Sequence, residues 1–299
     1  MKIQLNRIDI EKRIRKLSKL STLPTVAFDV MRLLENPRAS VSDLTKLISA
    51  DQILTARILK HANSANYGFQ QQICTLNLAL VVVGFSALRD LILSITAIDL
   101  LNNISEDQNE KAVYFLHHGL LVGCGARFLA ESTTYHVPGE AFVAGLLHDI
   151  GYQILIQEYL DQFNEVIHFA NKVKVPLYEA ERKLFGFDHA EIGAWLAEEW
   201  NLPKKLVNVI RYHHQPENAK LYKDLVKIIH VAELIGESLN NDMRIRNEYV
   251  EKENNITQKL KKLLQIDGYP LEYYQNKFRV ESKKTNEFLC STLSYEVNP

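Results

Sequence analysis

The sequence predicts an all-α protein, and three observations carry that prediction. Apolar residues recur at helical spacing along nearly the whole of the 299 residues. Glycine and proline are scarce, at 12 and 8, and most fall between the periodic segments. No strand-like alternation persists, and no Asn-Gly or Asp-Gly hairpin signal sits between alternating runs. A hydrophobic fraction of 46% suffices for a sizeable core in one large or two modest domains.

The elements follow in order. The opening "MKIQLNRIDIEKRIRKL" is charged and amphipathic and has no apolar signal-peptide core. In "TLPTVAFDVMRLLENP", Pro24 opens a helix whose apolar face is Val26, Val30, Leu33 and Leu34, and Asn36-Pro37 closes it. Ser40 with Asp43 three residues on reads as a capping-box variant, and Ser49 with Gln52 repeats it before "ILTARILKHAN". In this segment Leu54, Ile58 and Leu59 are expected to face inward. Asn63 and Asn66 are expected to hold a turn by backbone hydrogen bonds. Gly84 separates two helices within "NLALVVVGFSALRDLILSITAIDLL". Polar "NNISEDQNE" marks a boundary.

A helix over "AVYFLHHGLLVGCGARFLAES" follows, then one continuous helix through "EAFVAGLLHDIGYQIL". "DQFNEVIHFANKV" and "PLYEAERKLFG" give two more. Asp188 caps "DHAEIGAWLAEEW", Pro203 opens "LPKKLVNVIRYHH", and Pro216 stops it. "LVKIIHVAELIGESL" is apolar on one face. The tail suggests two amphipathic helices. No run of about 18 uncharged apolar residues indicates a membrane span. The cysteines, Cys74, Cys124 and Cys290, lie far apart and read as small core residues of a reducing compartment. The expectation is a cytoplasmic protein.

His148-Asp149 interrupts an apolar run, where an unpaired charge is costly. Other histidines sit where the chain turns: His118 within a helix, His189 at a helix start, His213 and His214 at a helix end. Glu233 lies on the inner face of a later helix. Imidazole and carboxylate are the usual ligands of zinc, iron and manganese. Neighbours on a helix point about 100° apart, so His148 and Asp149 line a cavity rather than chelate as a same-face pair. His61, His117, His136, His168 and His230 are read as ordinary hydrogen-bonded groups.

"HDIG" within "AGLLHDIG" resembles the centre of the HD superfamily of metal-dependent phosphohydrolases. More closely, "LPTVAFDVMRLLENP", "ISADQILTARILKHANSANYG", "VVVGFSALRDLIL", "FDHAEIGAWLAEEWNLP" and "IRYHHQP" resemble HDOD proteins, the HD-related output domains of bacterial signalling. The resemblance runs from about residue 20 to about residue 240. It implies an N-terminal helical subdomain (1–108) packed on an HD-like bundle (109–240), followed by a C-terminal helical extension (241–299). It also implies two divalent transition-metal ions, iron or manganese, with zinc as a further candidate. His118, His148, Asp149 and Glu233 would take one ion. Asp149, His189, His213 and His214 would take the other, with Asp149 as the bridging, catalytic carboxylate. His189, His213 and His214 match the HD-GYP branch. Two departures count against that branch's activity: Tyr152 replaces a lysine, and "HHQPEN" lacks the glycine-tyrosine-proline signature.

Three functions are weighed. One is a regulatory metal-binding module that acts on a signalling protein partner. Another is an enzyme, a phosphohydrolase acting on a small phosphorylated ligand such as a nucleotide or cyclic dinucleotide. Its ligands would equally serve a di-iron oxygenase. Arg211 and Lys183 are candidate phosphate contacts there, though the commoner role for either is an exposed charge. The third is nucleic-acid binding through a helix-turn-helix-like stretch bearing Arg57, Lys60 and His61. A net charge of −1 and the lack of a basic stripe argue against it.

Overall fold

The computed structural model describes residues 7–20, 38–49, 73–85, 106–135, 138–200, 202–239, 253–264 and 269–293, with single positions between 30 and 88. Among them there is no strand, and the protein is all α. Residues 1–21 and 101–282 form one compact unit, and residues 22–100 with 283–299 form a second.

Helix α1 (Arg7–Leu20) belongs to the first unit and packs on a later helix of it. Its Ile10 and Ile14 are buried. Its Arg7 guanidinium lies 4.7 Å above the Trp195 ring, and Arg13 pairs with Glu158 at 2.7 Å.

The second unit holds α2 (Val41–Ile48). Its start is set by the expected capping box: the Ser40 hydroxyl accepts from the Asp43 amide, and the Asp43 carboxylate accepts from the Ser40 amide. Leu44 and Ile48, one turn apart, enter a core with Ile58, Leu80 and Leu88, and Leu59 packs against it. Gly84, expected to separate two helices, adopts a left-handed φ of +76 near the end of the helical residues 76–85, and residues 86 and 87 lie outside the described ones. Cys74 is exposed, against its expected burial, because it lies just before the helical residues 76–85; Cys124 is buried. Leu54, Gln52, Asn63, Asn66, Arg57, Lys60 and His61 lie outside the described residues, as does the Cys290 side chain.

In the first unit α3 (Glu106–Glu131) is the longest helix, and α4 (Pro138–Leu147) packs on it. Glycines permit the close crossing. A Cβ on Gly145 would stand 2.7 Å from the Gly123 Cα, and one on Gly123 the same distance from the Phe142 carbonyl oxygen. The expected continuous helix through "HDIG" is broken. Residues 148–150 form a turn, and α5 begins at Gly151 (Gly151–Glu158). The cause is local: the amides of Ile150 and Tyr152 bond three residues back, to Leu147 and Asp149, which tightens the backbone there. His148-Asp149 therefore sits at a corner.

Next come α6 (Leu160–Val173), α7 (Leu177–Phe185), α8 (His189–Glu199) and α9 (Lys204–Tyr212). Gly186 ends α7 at φ +91, and Asp188 caps α8 by accepting from the Glu191 amide at 2.9 Å. A short 3-10 turn, Pro216–Asn218, leads to α10 (Lys223–Ser238), which is buried along most of its length. The tail supplies α11 (Glu253–Leu264) and α12 (Leu271–Leu293). Within this unit α12 lays Leu271, Tyr274 and Phe278 inward, and the Phe278 ring occupies the space beside Gly125 of α3.

Candidate metal centre

Asp149 is the focus. It is 7% exposed, and imidazoles surround it. His148 Nε2 lies 3.2 Å and His118 Nε2 3.7 Å from its Oδ2. His189 Nε2 lies 3.1 Å and His213 Nε2 3.7 Å from its Oδ1. His214 Nε2 stands 2.9 Å from His189 Nε2, and His214 Nδ1 lies 3.3 Å from Glu233 Oε1. The corner at 148–150, the middle of α3, the start of α8, the end of α9 and the inner face of α10 thus each deliver a side chain to one place.

Hydrogen bonds on the far side of the rings decide what faces inward. His148 Nδ1 donates to the Gly145 carbonyl at 2.6 Å, and His213 Nδ1 donates to the Ile210 carbonyl at 2.7 Å. A carbonyl can only accept, so on each ring Nδ1 carries a proton and Nε2 is the nitrogen that faces Asp149 and can be offered to a metal. A carboxylate is also acceptor-only. His148 Nε2, His213 Nε2, Asp149 Oδ1 and Glu233 Oε2 are accordingly buried without a hydrogen-bond partner. Ligand-type nitrogens and oxygens gathered in a buried place without hydrogen-bond partners call for a cation. Two groups of ligand atoms lie within 4.8 Å of one another: Asp149, His189, His213 and His214, and then His148, Asp149, His213 and Glu233. The donor set therefore fits a metal.

The charges of the metal-free cluster divide: three imidazoles stay neutral, whereas His189 and Glu233 hold on to their protons. Burial lowers His118 to about 4 and holds His213 and His214 well below the usual imidazole range, so all three are neutral with lone pairs to offer. Burial pushes the Asp149 carboxyl up, yet His148 and His189 hold it well below the ordinary range. Burial lowers His189, but the Glu181 and Asp149 carboxylates on either side outweigh it and raise the ring well above 6.5. Glu233 is raised well above the usual carboxylate range by burial, then by Glu237 and Asp149.

Several residues of the site were missed by sequence reasoning. Glu181 is fully buried and accepts both the main-chain amide of His189 at 2.7 Å and its Nδ1–H at 2.8 Å. Its signal was position: it occupies the apolar register of α7, one turn from Leu177 and Phe185. Tyr152, read only as a departure from a pattern, stacks on His189 at 4.0 Å, and Tyr178 stacks on His214 at 4.3 Å. His230, read as an ordinary hydrogen-bonded group, donates from Nδ1 to the His213 carbonyl at 2.7 Å and so braces the turn carrying two imidazoles. Arg211 pairs with Glu198 at 2.6 Å, and Lys183 lies over the Phe169 ring at 5.2 Å, so both candidate phosphate contacts are engaged elsewhere.

Comparison with known proteins agrees with this architecture. The profile of the HDOD domain matches residues 20–216. An uncharacterized protein of Treponema pallidum is 29% identical over 221 residues, which is 73% of this chain but 42% of that protein. The chain thus spans under half the length of that relative. A Geobacter sulfurreducens HDOD domain protein of unknown function has a similar structure, with TM-score 0.71 at 22% identity over 97% of this chain and 100% of the other. A Shewanella amazonensis protein, named as a candidate phosphohydrolase, gives TM-score 0.65 at 23% identity over 92% and 96% of the two chains. At these identities the likeness of structure is a likeness of fold.

Proposed function

The chain belongs to the HDOD family, and on that premise we propose that it is a signalling module built around a binuclear transition-metal centre. The observation that carries the reading is the convergence of acceptor-only atoms on Asp149, with His148 and His213 locked by backbone carbonyls to face it. One ion takes Asp149, His189, His213 and His214. His213 has a single nitrogen to offer, since its Nδ1 is committed to Ile210. The other ion therefore takes His148, Asp149 and Glu233, with His118 completing the set. An imidazole-rich donor set suits iron, manganese or zinc better than magnesium. The metal-loaded bundle acts on a protein partner of a signalling pathway.

A second reading is hydrolysis of a phosphoester, and one feature favours it. The two Asp149 oxygens face different imidazoles, Oδ2 toward His148 and His118 and Oδ1 toward His189 and His213. That is the disposition of a bridging carboxylate. When bound, a metal pair acidifies water and neutralises phosphoryl charge. Glu233 and the buried imidazoles orient the site, while the Tyr178 ring shields His214 from water.

Metal content of wild type against Asp149→Ala, after growth replete in iron or manganese, tests the first reading. The expectation is about two ions per wild-type chain, as in two-metal sites, and loss in the variant. Equal, near-zero content in both overturns it. Turnover of a cyclic dinucleotide or an activated phosphodiester by the loaded wild type, absent in Asp149→Ala, decides the second.

A further inference from the structure

Glu181 is a fully buried carboxylate that the ligand set does not use. It lies on the opposite side of the His189 ring from Asp149: its Oε2 meets Nδ1, whereas the Asp149 Oδ1 meets Nε2. We infer that Glu181 is a positioning residue that keeps a proton on His189 Nδ1 and so leaves Nε2 free to serve as a ligand. The inference rests on reading the Asp149 cluster as a metal centre.

The geometry carries it in three steps. An imidazole that ligates a metal keeps one N–H, and the stronger acceptor decides which nitrogen keeps it. His189 has a carboxylate at each nitrogen, 2.8 Å from Nδ1 and 3.1 Å from Nε2. Remove Glu181, and the acceptors that remain, Asp149 Oδ1 and His214 Nε2, both face Nε2. The proton then moves to Nε2 and blocks the lone pair. Next, Glu181 Oε2 also accepts the main-chain amide of His189 at 2.7 Å, so one oxygen fixes both the backbone and the ring of the same residue. Finally, the Tyr152 ring stacked 4.0 Å from the imidazole limits its rotation, so a wrong tautomer is not corrected by a ring flip. Carboxylates behind ligating histidines act in this way, and their loss typically weakens metal binding about 10–100-fold.

The test compares wild type, Glu181→Ala and Glu181→Gln, each stripped by chelator and shown folded by circular dichroism. Protein labelled with 15N-histidine is read at pH 8 by NMR, with the His189 signals assigned from His189→Gln. Zn(II) binding is then titrated. Wild type should show an N–H on Nδ1, and Glu181→Ala should lose it, keeping a proton on Nε2 alone, and bind Zn(II) about 10–100-fold more weakly. Glu181→Gln keeps an acceptor oxygen and should restore the Nδ1 proton and most of the affinity. If Glu181→Ala keeps the Nδ1 proton, or binds Zn(II) as wild type does, the role assigned to Glu181 is overturned. If wild type itself binds no Zn(II), the metal reading fails, and the tautomer comparison alone still decides for or against Glu181.

Discussion

A missing Cβ places Asp149 against its imidazoles. Gly151 opens α5 directly beneath the start of α8, and a Cβ there would stand 1.9 Å from the His189 carbonyl oxygen and 2.8 Å from the Gly193 amide nitrogen. Both neighbours are backbone, so neither can swing aside. Gly151→Ala should therefore push α5 from α8, destabilise the protein by about 1–3 kcal/mol as overpacked cores do, and lower metal content. Gly186 is the control. It too stands at a helix terminus, the end of α7, but at φ +91 with open space around it. Gly186→Ala should cost only the strain of a left-handed residue, about 1 kcal/mol, and leave metal content intact. Urea titration with metal analysis on both variants checks the contrast. Equal metal loss in both would mean that the approach of α5 to α8 does not shape the site.

Among elements, α8 and α12 show how ends and faces are fixed. Asp188 is fully buried, caps α8 and pairs with Arg182 at 2.7 Å. Its cap sets the direction in which His189 leaves the helix, and "FDH" announced it in the sequence, as "ASVSD" announced α2. Caps are legible because each depends on neighbouring residues alone. The corner at 148–150 was not legible, since apolar periodicity runs unbroken through "AGLLHDIGYQIL" and only the i to i+3 bonding reveals the turn. Glu181 was obscured for a related reason: its partner lies eight positions away across Gly186, and helix periodicity gives no register across such a break. The residues of the cluster were legible as residue types at chain turns, but how the proposed centre would divide them between ions depends on which ring nitrogen is free, and carbonyl contacts decide that. The tail's role was likewise a matter of packing. Phe278 is fully buried against Gly125, whereas Val280 on the same helix is 50% exposed. Phe278→Ala should cost about 3–5 kcal/mol, and Val280→Ala should fall within about 0.5 kcal/mol. Similar losses from the two in chemical denaturation would mean that α12 does not dock through this face.

At the scale of the whole molecule the acceptor-only cluster sets a balance between folding and metal. In the metal-free protein the fold must hold His148 Nε2, His213 Nε2, Asp149 Oδ1 and Glu233 Oε2 buried without hydrogen-bond partners, and such groups cost about 1–3 kcal/mol each. The core around them supplies that stability: α3 and α4 cross at glycine contact, α10 is buried along most of its length, and α12 covers α3. A metal held as proposed would bind only the folded arrangement, because the residues of the cluster come from five separate places in the chain. Binding must then stabilise the fold by mass action, by about 2.7 kcal/mol when free metal is 100 times its Kd. Stripped wild type should melt at a lower temperature than metal-replete protein, with a shift that grows with metal concentration. Asp149→Ala should show no shift, because it removes the group common to both ligand sets. His168→Ala, on α6 outside the cluster, should keep the full shift. Thermal melts over a metal titration read the difference. A shift of equal size in Asp149→Ala would place the bound metal elsewhere on the chain and separate the stability of this bundle from the cluster at its centre.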